Sequence, residues 1–438
     1  MMINKILDDQ EDATIDRLLG LIDKSPTAFH AADQLMKICL QAGFTPLTGK
    51  ESLKPGDCCF LTVEDSAFFA IKIGENPLSS GFRMVGTHLD APALKIKPNS
   101  LIQQEGVWLL NTELYGSPIL TTWFDRPLSI AGRVLIDSGN PLSPEARLID
   151  FRRPLLVIPN VAIHLNPTVN DEQKIKPQQM MLPIIALADG GTAASHDLLT
   201  LLIASELSVE PERLLDADLY LYECTPGTRL GLNNEFIQTG RLDNLGLAYA
   251  AVTALTESHT QTGINLVACF DHEEVGSRTS QGAIGMTLRD LLERIVIKLG
   301  GSRETFLDRL SYSFLISADQ AHAAHPNFAD RSDPTNRPRI NQGPVIKFAA
   351  NRAYTTDGVS AAVFRKLCQA ADVPCQTYVN RSDVRGGSTI GPLFVEHLPV
   401  KAVDVGNPIW GMHAIRETGG VSDQIAMARV LRHFFELA

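Results

Sequence analysis

An alternation of apolar runs and helix-patterned stretches that breaks off after residue 95 and resumes near 231 constrains this chain more than any other feature. Before the break, runs at 58–63, 67–73 and 82–87 are rich in Phe, Ile and Val and bounded by Gly, Pro, Asn and Ser, which reads as strands. Two helices come first: Ile15, Leu18, Leu19 and Ile22 recur at helical spacing, and Ser25-Pro26-Thr27 can start a second helix ending at Gly43. After the break the pattern predicts helices over 244–256, 288–299, 360–371 and 422–435, and strands over 265–270, 313–317, 345–348, 376–379 and 402–405. Between them, short runs at 107–110, 129–136 and 155–158 are punctuated by Pro and Gly, with one helix over 197–207. The expectation is an α/β fold in which residues 1–95 and 231–438 form one mixed-sheet domain, and 96–230 form a β-rich domain inserted into it.

Acids and histidines stand directly after the predicted strands: His88 and Asp90 after 82–87, Glu273 and Glu274 after 265–270, Asp319 after 313–317, and His413 a short loop beyond 402–405. Ligands of open α/β sheets bind at the carboxyl ends of strands, so these residues are candidates for one cleft. Carboxylates crowded there either take up protons or attract cations, and the histidines favour a metal. Mixed carboxylate and imidazole donors suit Zn, Co or Mn, and the number of donors fits two divalent ions better than one. Period two places His88 and Asp90 on one side of their strand, where Asp90 can orient the imidazole. Of the Glu273-Glu274 pair, one carboxylate can face metal while the other takes a proton from water.

A formal net charge of −11 argues against nucleic acid or an anionic membrane as partner. The N-terminal stretch MMINKILDDQEDATID lacks the basic and apolar regions of an export signal, and no apolar run is long enough to span a bilayer. Seven scattered cysteines, with no CxxC spacing, suit reduced thiols. A cytoplasmic protein is expected.

Eight segments, in order along most of the chain, resemble the aspartyl aminopeptidase family of co-catalytic zinc aminopeptidases: GTHLDAP (86–92), WFDRPLSIAGRV (123–134), IPNVAIHLN (158–166), RLDNL (241–245), DHEEVGS (271–277), SADQAHAAHPN (317–327), GSTIGP (387–392) and MHAIRE (412–417). The resemblance implies His88 and Asp319 on one metal, Glu274 and His413 on the other, and Asp243 bridging them; taken alone, Asp243 would read as a helix N-cap. It implies Asp90 and Glu273 as the catalytic carboxylates, a His164 that reaches a neighbouring subunit's site, and a Lys347 near the substrate side chain. It further implies a metallopeptidase domain carrying an inserted oligomerisation domain, and a homo-oligomer that is a dodecamer. Three carboxylates against two divalent ions would leave one positive charge, which favours a bound hydroxide as nucleophile.

The expected activity is therefore release of an N-terminal residue, Asp or Glu, from peptides. Three departures from the family pattern (Ala91, Gly386 and the Asn351-Arg352-Ala353-Tyr354 spacing) spare the ligands, but the last lies just beyond Lys347 and leaves open a preference for neutral residues. A carboxypeptidase or deacylase with the same centre, and a peptide-binding scaffold without catalysis, are the rival readings.

Overall fold

The computed structural model describes residues 9–49, 52–171, 174–188, 198–384 and 386–437. Their contacts divide the chain into one unit of Met1–Asp90, Gly227–Met412 and Glu417–Ala438 and another of Ala91–Pro226 with His413–Arg416. The sequence pattern had placed the corresponding boundaries at 95/96 and 230/231.

The first unit is built on a nine-stranded mixed sheet. Its order is Thr45–Pro46, Cys58–Val63, Ala67–Ile73, Ile264–Phe270, Phe82–His88, Phe314–Ala318, Lys401–Gly406, Val345–Phe348 and Gln376–Val379. The strands Ile264–Phe270, Phe82–His88, Phe314–Ala318 and Lys401–Gly406 run parallel to one another. Strands buried on both faces read as unbroken apolar runs, and every residue of Ile264–Phe270 and Phe82–His88 is buried. Alternate side chains still divide: Phe68, Val85, Val267 and Ile316 enter one core, while Phe69, Met84, Leu266 and Leu315 enter the other. Helices Asp9–Asp23, Ala28–Gln41, Leu242–Glu257, Gly358–Ala370 and Val421–Phe435 supply the first core, and Thr287–Lys298, Arg303–Ser311 and Ile390–His397 the second. Helix Leu242–Glu257 is apolar almost all round, as a helix enclosed by sheet and neighbours must be. A smaller five-stranded sheet of two- to four-residue strands completes this unit; such strands are too short to carry a period.

The second unit holds a six-stranded antiparallel sheet in the order Glu145–Asp150, Leu128–Ile136, Leu214–Glu223, Ala93–Gln104, Val107–Tyr115 and Ile184–Leu187. Leu94, Leu110, Trp123, Ile130, Ile149, Leu219 and Ile415 are among its core. The predicted strand at 155–158 makes only isolated bridges, Leu128 with Leu156 and Val157 with Ile184, because Pro154 and Pro159 flank it and lack ladder donors. The predicted helix appears as Leu198–Leu207; Asp197 lies outside the described residues.

Asp423, in the first turn of the closing helix, is fully buried and accepts the backbone N–H groups of Asn341 (2.6 Å) and Gly343 (2.8 Å). Burial pushes its carboxyl up to about 7, against backbone hydrogen bonds that lower it. The folded state therefore holds this proton more tightly than the unfolded chain, and the associated stability is lost as pH rises from about 4 through about 7, by on the order of 4 kcal/mol. Asp423→Asn cannot titrate. Urea midpoints measured from pH 4 to 8 should fall for the wild type relative to this variant across that window, and parallel curves would refute the assignment.

Candidate metal centre

The parallel register brings the ends of four strands to one edge of the sheet, and with them His88, Asp90, Glu273, Glu274 and Asp319. Phe270 is level with His88, Gly86 with Ser317, and Ala318 with Val405, so the residues that follow each strand emerge side by side. A Cβ on Gly406 would lie 2.0 Å from the Asp319 carbonyl oxygen, so only glycine lets these two strand ends approach.

His88, Asp243 and Glu274 each offer one donor atom, all within 4.8 Å of one another. His88 Nε2 lies 3.4 Å from Asp243 Oδ1 and 3.7 Å from Asp319 Oδ1. The other ring nitrogen, Nδ1, is 3.0 Å from the Asp90 carbonyl oxygen and 3.4 Å from its carboxylate, which turns Nε2 toward the acids. Asp90 does more than orient the imidazole. Its Oδ1 accepts the N–H of Glu273 at 3.1 Å and its Oδ2 the N–H of Glu274 at 3.0 Å, fixing the single turn Glu273–Val275. That turn is entered through His272 at φ 62° and left through Gly276 at φ 100°, so the two glutamates leave strand geometry at once.

Asp243 sits on a break in the helix, with non-helical backbone at Asp243 and Asn244, and its amide N–H is accepted by Glu417 Oε2 at 2.9 Å. Asn244 Nδ2 donates to the Ala318 carbonyl (2.8 Å) and Gln320 Nε2 to the Leu242 carbonyl (3.0 Å), tying this break to the end of the Asp319 strand. Sequence reasoning missed Asn244, Gln320 and Glu417 as supports. Their signal was present in the RLDNL, SADQ and MHAIRE segments, but each is an ordinary polar residue until its partner is known.

Lys347 is buried; Nζ donates to the Gln320 carbonyl at 2.8 Å, lies 3.6 Å from Asp319 Oδ2 and stands 5.4 Å from the Tyr354 ring centre. His413 and His164 belong to the second unit. There His413 has φ 68° and Nδ1 3.1 Å from the Ser117 carbonyl oxygen. His164 lies on an exposed segment with Val161, Ile163 and Leu165.

The family model described as aminopeptidase I zinc metalloprotease (M18) matches residues 21–435. The chain belongs to the M18 aminopeptidases, the aspartyl aminopeptidase family. It is 46% identical to the probable M18 family aminopeptidase 2 of Clostridium novyi (strain NT), over 96% of this chain and 98% of that one. Among solved structures, a chain of the cryo-EM structure of the Ape4 and Nbr1 complex is similar at 33% identity and TM-score 0.94, covering 99% of this chain and 87% of that one. The mApe1 of Chaetomium thermophilum is similar at 30% identity and TM-score 0.85, covering 97% of each chain. The protein is thus a metal-dependent aminopeptidase.

The electrostatics of this cluster fit the zinc in the family's description. Burial pushes the Glu273 carboxyl up to about 8, helped by the nearby charges of Asp319, Asp90 and Asp243 and opposed by His88. Glu274 is raised well above the usual range by burial and by Asp243. Burial alone would strip the proton from His88, but the neighbouring carboxylates of Asp243, Asp319 and Asp90 outweigh it and raise its pKa. A pocket that gathers carboxylates until they compete for protons, with an imidazole among them, has the donor chemistry of a divalent-metal site.

Proposed function

We propose that the site holds two divalent ions, zinc by preference with Co or Mn able to substitute, through His88, Asp319, Glu274 and His413, with Asp243 as the bridge. The observation that carries the reading is the fixed Glu273–Val275 turn, which presents two adjacent glutamates beside His88 and Asp243. When bound, the ions polarise the scissile carbonyl and make water more acidic. Glu273 takes the water's proton and passes it to the leaving amine. Asp90 holds both the His88 ring and the glutamate turn in place.

The substrate is a peptide whose N-terminal residue is removed, with Asp or Glu preferred because Lys347 places a cation beside Asp319. His164 contributes from a neighbouring subunit, which requires a homo-oligomer; a dodecamer built through the inserted domain is the assembly we favour. All seven cysteines are free, in keeping with a cytoplasmic location. Among the described residues no helix is long and apolar enough to cross a membrane.

A preference for neutral residues has its own support. Lys347 already meets Asp319 and the Gln320 carbonyl, which offsets part of its charge. A kinetic panel of N-terminal Asp, Glu, Leu and Ala peptides separates the readings. We expect kcat/KM for Asp or Glu to exceed that for Leu by at least about tenfold, worth about 1.4 kcal/mol. A flat profile would discard the acidic pocket and leave the aminopeptidase standing. N-acetylated Asp peptides should resist cleavage, whereas a deacylase would cleave them.

A further inference from the structure

The GSTIGP segment takes no part in the chemistry above, yet it converges with two other segments on one side chain, the carboxylate of Asp404. Asp404 is fully buried on the strand Lys401–Gly406. Its Oδ1 accepts the hydroxyls of Ser317 (2.7 Å) and Thr389 (2.5 Å), and its Oδ2 accepts both the N–H and the hydroxyl of Thr355, each at 2.6 Å. Its own N–H donates to Thr356 Oγ1 at 2.9 Å. A Cβ on Gly391 would stand 2.6 and 2.8 Å from the two carboxylate oxygens, so the second glycine of GSTIGP leaves room for them.

Burying a carboxylate is costly unless its lone pairs are filled, and here four donors fill them. What those donors join matters more than the cost. Ser317 lies two residues before Asp319, Thr355 directly follows Tyr354, and Thr389 directly precedes the helix Ile390–His397. Tyr354 packs beneath Lys347, whose ammonium is 3.6 Å from Asp319. Asp404 therefore ties down the backbone on both flanks of the Lys347–Asp319 pair.

We propose that Asp404 is a positioning residue for the substrate's N-terminal side chain, holding Tyr354 against Lys347 and Asp319 through Thr355. The proposal rests on the reading that this side chain enters beside Lys347, but not on its being acidic. Asp404→Asn is a selective probe. The amide oxygen can still accept Ser317 and Thr389, while the NH2 group faces the Thr355 N–H and opposes one donor with another.

The experiment measures kcat and KM of the wild-type enzyme and Asp404→Asn on peptides with N-terminal Gly, Ala, Leu, Asp and Glu, together with metal content and thermal unfolding. We expect the variant to lose about 30-fold in kcat/KM on the wild type's best substrate, mostly in KM, and less than about threefold on Gly, with metal content unchanged. Equal losses on Gly and the best substrate, or no loss on either, would overturn the proposal. The wild-type panel alone judges acidic preference; the variant-to-wild-type ratio within each substrate judges Asp404. Should Asp404→Asn fail to fold, Thr355→Val removes one donor to the same oxygen. It should lose about fivefold on the best substrate relative to Gly, with Thr355→Ser restoring the ratio. A Thr355→Val enzyme with the wild-type ratio would also overturn it.

Discussion

Glu273→Gln should lower kcat by about 10³-fold, within the range that general acid–base groups contribute, while leaving bound metal and KM nearly unchanged. The substitution keeps the size of the side chain and removes its ability to take a proton. It also leaves the local backbone alone, because the turn is held from outside: Asp90 accepts the N–H of both Glu273 and Glu274 through its two carboxylate oxygens. A fall in activity therefore cannot be assigned to a collapsed turn. The contrast with Asp90 sharpens the test, since losing Asp90 would free the turn and the His88 ring together. Single-turnover rates on an Asp peptide, with metal measured on the same sample, are the measurement. Retention of more than about a tenth of the wild-type rate at full metal content would remove Glu273 as the base.

The fold was legible where burial made it so. Strands 58–63 and 67–73 appear at the predicted bounds: 67–73 is buried at every position but Lys72, 58–63 exposes only Thr62, and the polar turn 64–66 separates them. The strand Leu214–Glu223 escaped notice for the opposite reason: Asp216, Asp218 and Glu223 interrupt its apolar residues, and Asp218 is held by Lys95 at 3.0 Å and Arg133 at 3.1 Å, partners far away in sequence. Strand ends announced His88, Glu273, Glu274 and Asp319 as candidates for one cleft, since parallel register aligns whatever follows each strand. Asp243 carried no such mark. It follows a short strand of the smaller sheet and sits on a helix break, and resemblance alone singled it out. The supports were invisible for a related reason. Glu417 matters because its Oε2 meets the Asp243 amide 174 residues away, and no local pattern encodes that meeting.

Asp243 is also the residue whose removal should be most telling. If it bridges two ions, Asp243→Ala withdraws a shared donor, whereas His88→Ala or Glu274→Ala withdraws a donor from one ion. Metal content after dialysis should then fall by about two ions per chain for Asp243→Ala and by about one for each of the others, with activity down on the order of 10³-fold, or about 4 kcal/mol of barrier. The backbone at Asp243 should survive the change, because Glu417 accepts its amide N–H and Asn244 and Gln320 anchor the flanking residues to the Asp319 strand end. Loss of a single ion from Asp243→Ala would make Asp243 a terminal ligand of one metal. Retention of both would remove it from the centre, leaving its 3.4 Å approach to His88 Nε2 as an orienting contact.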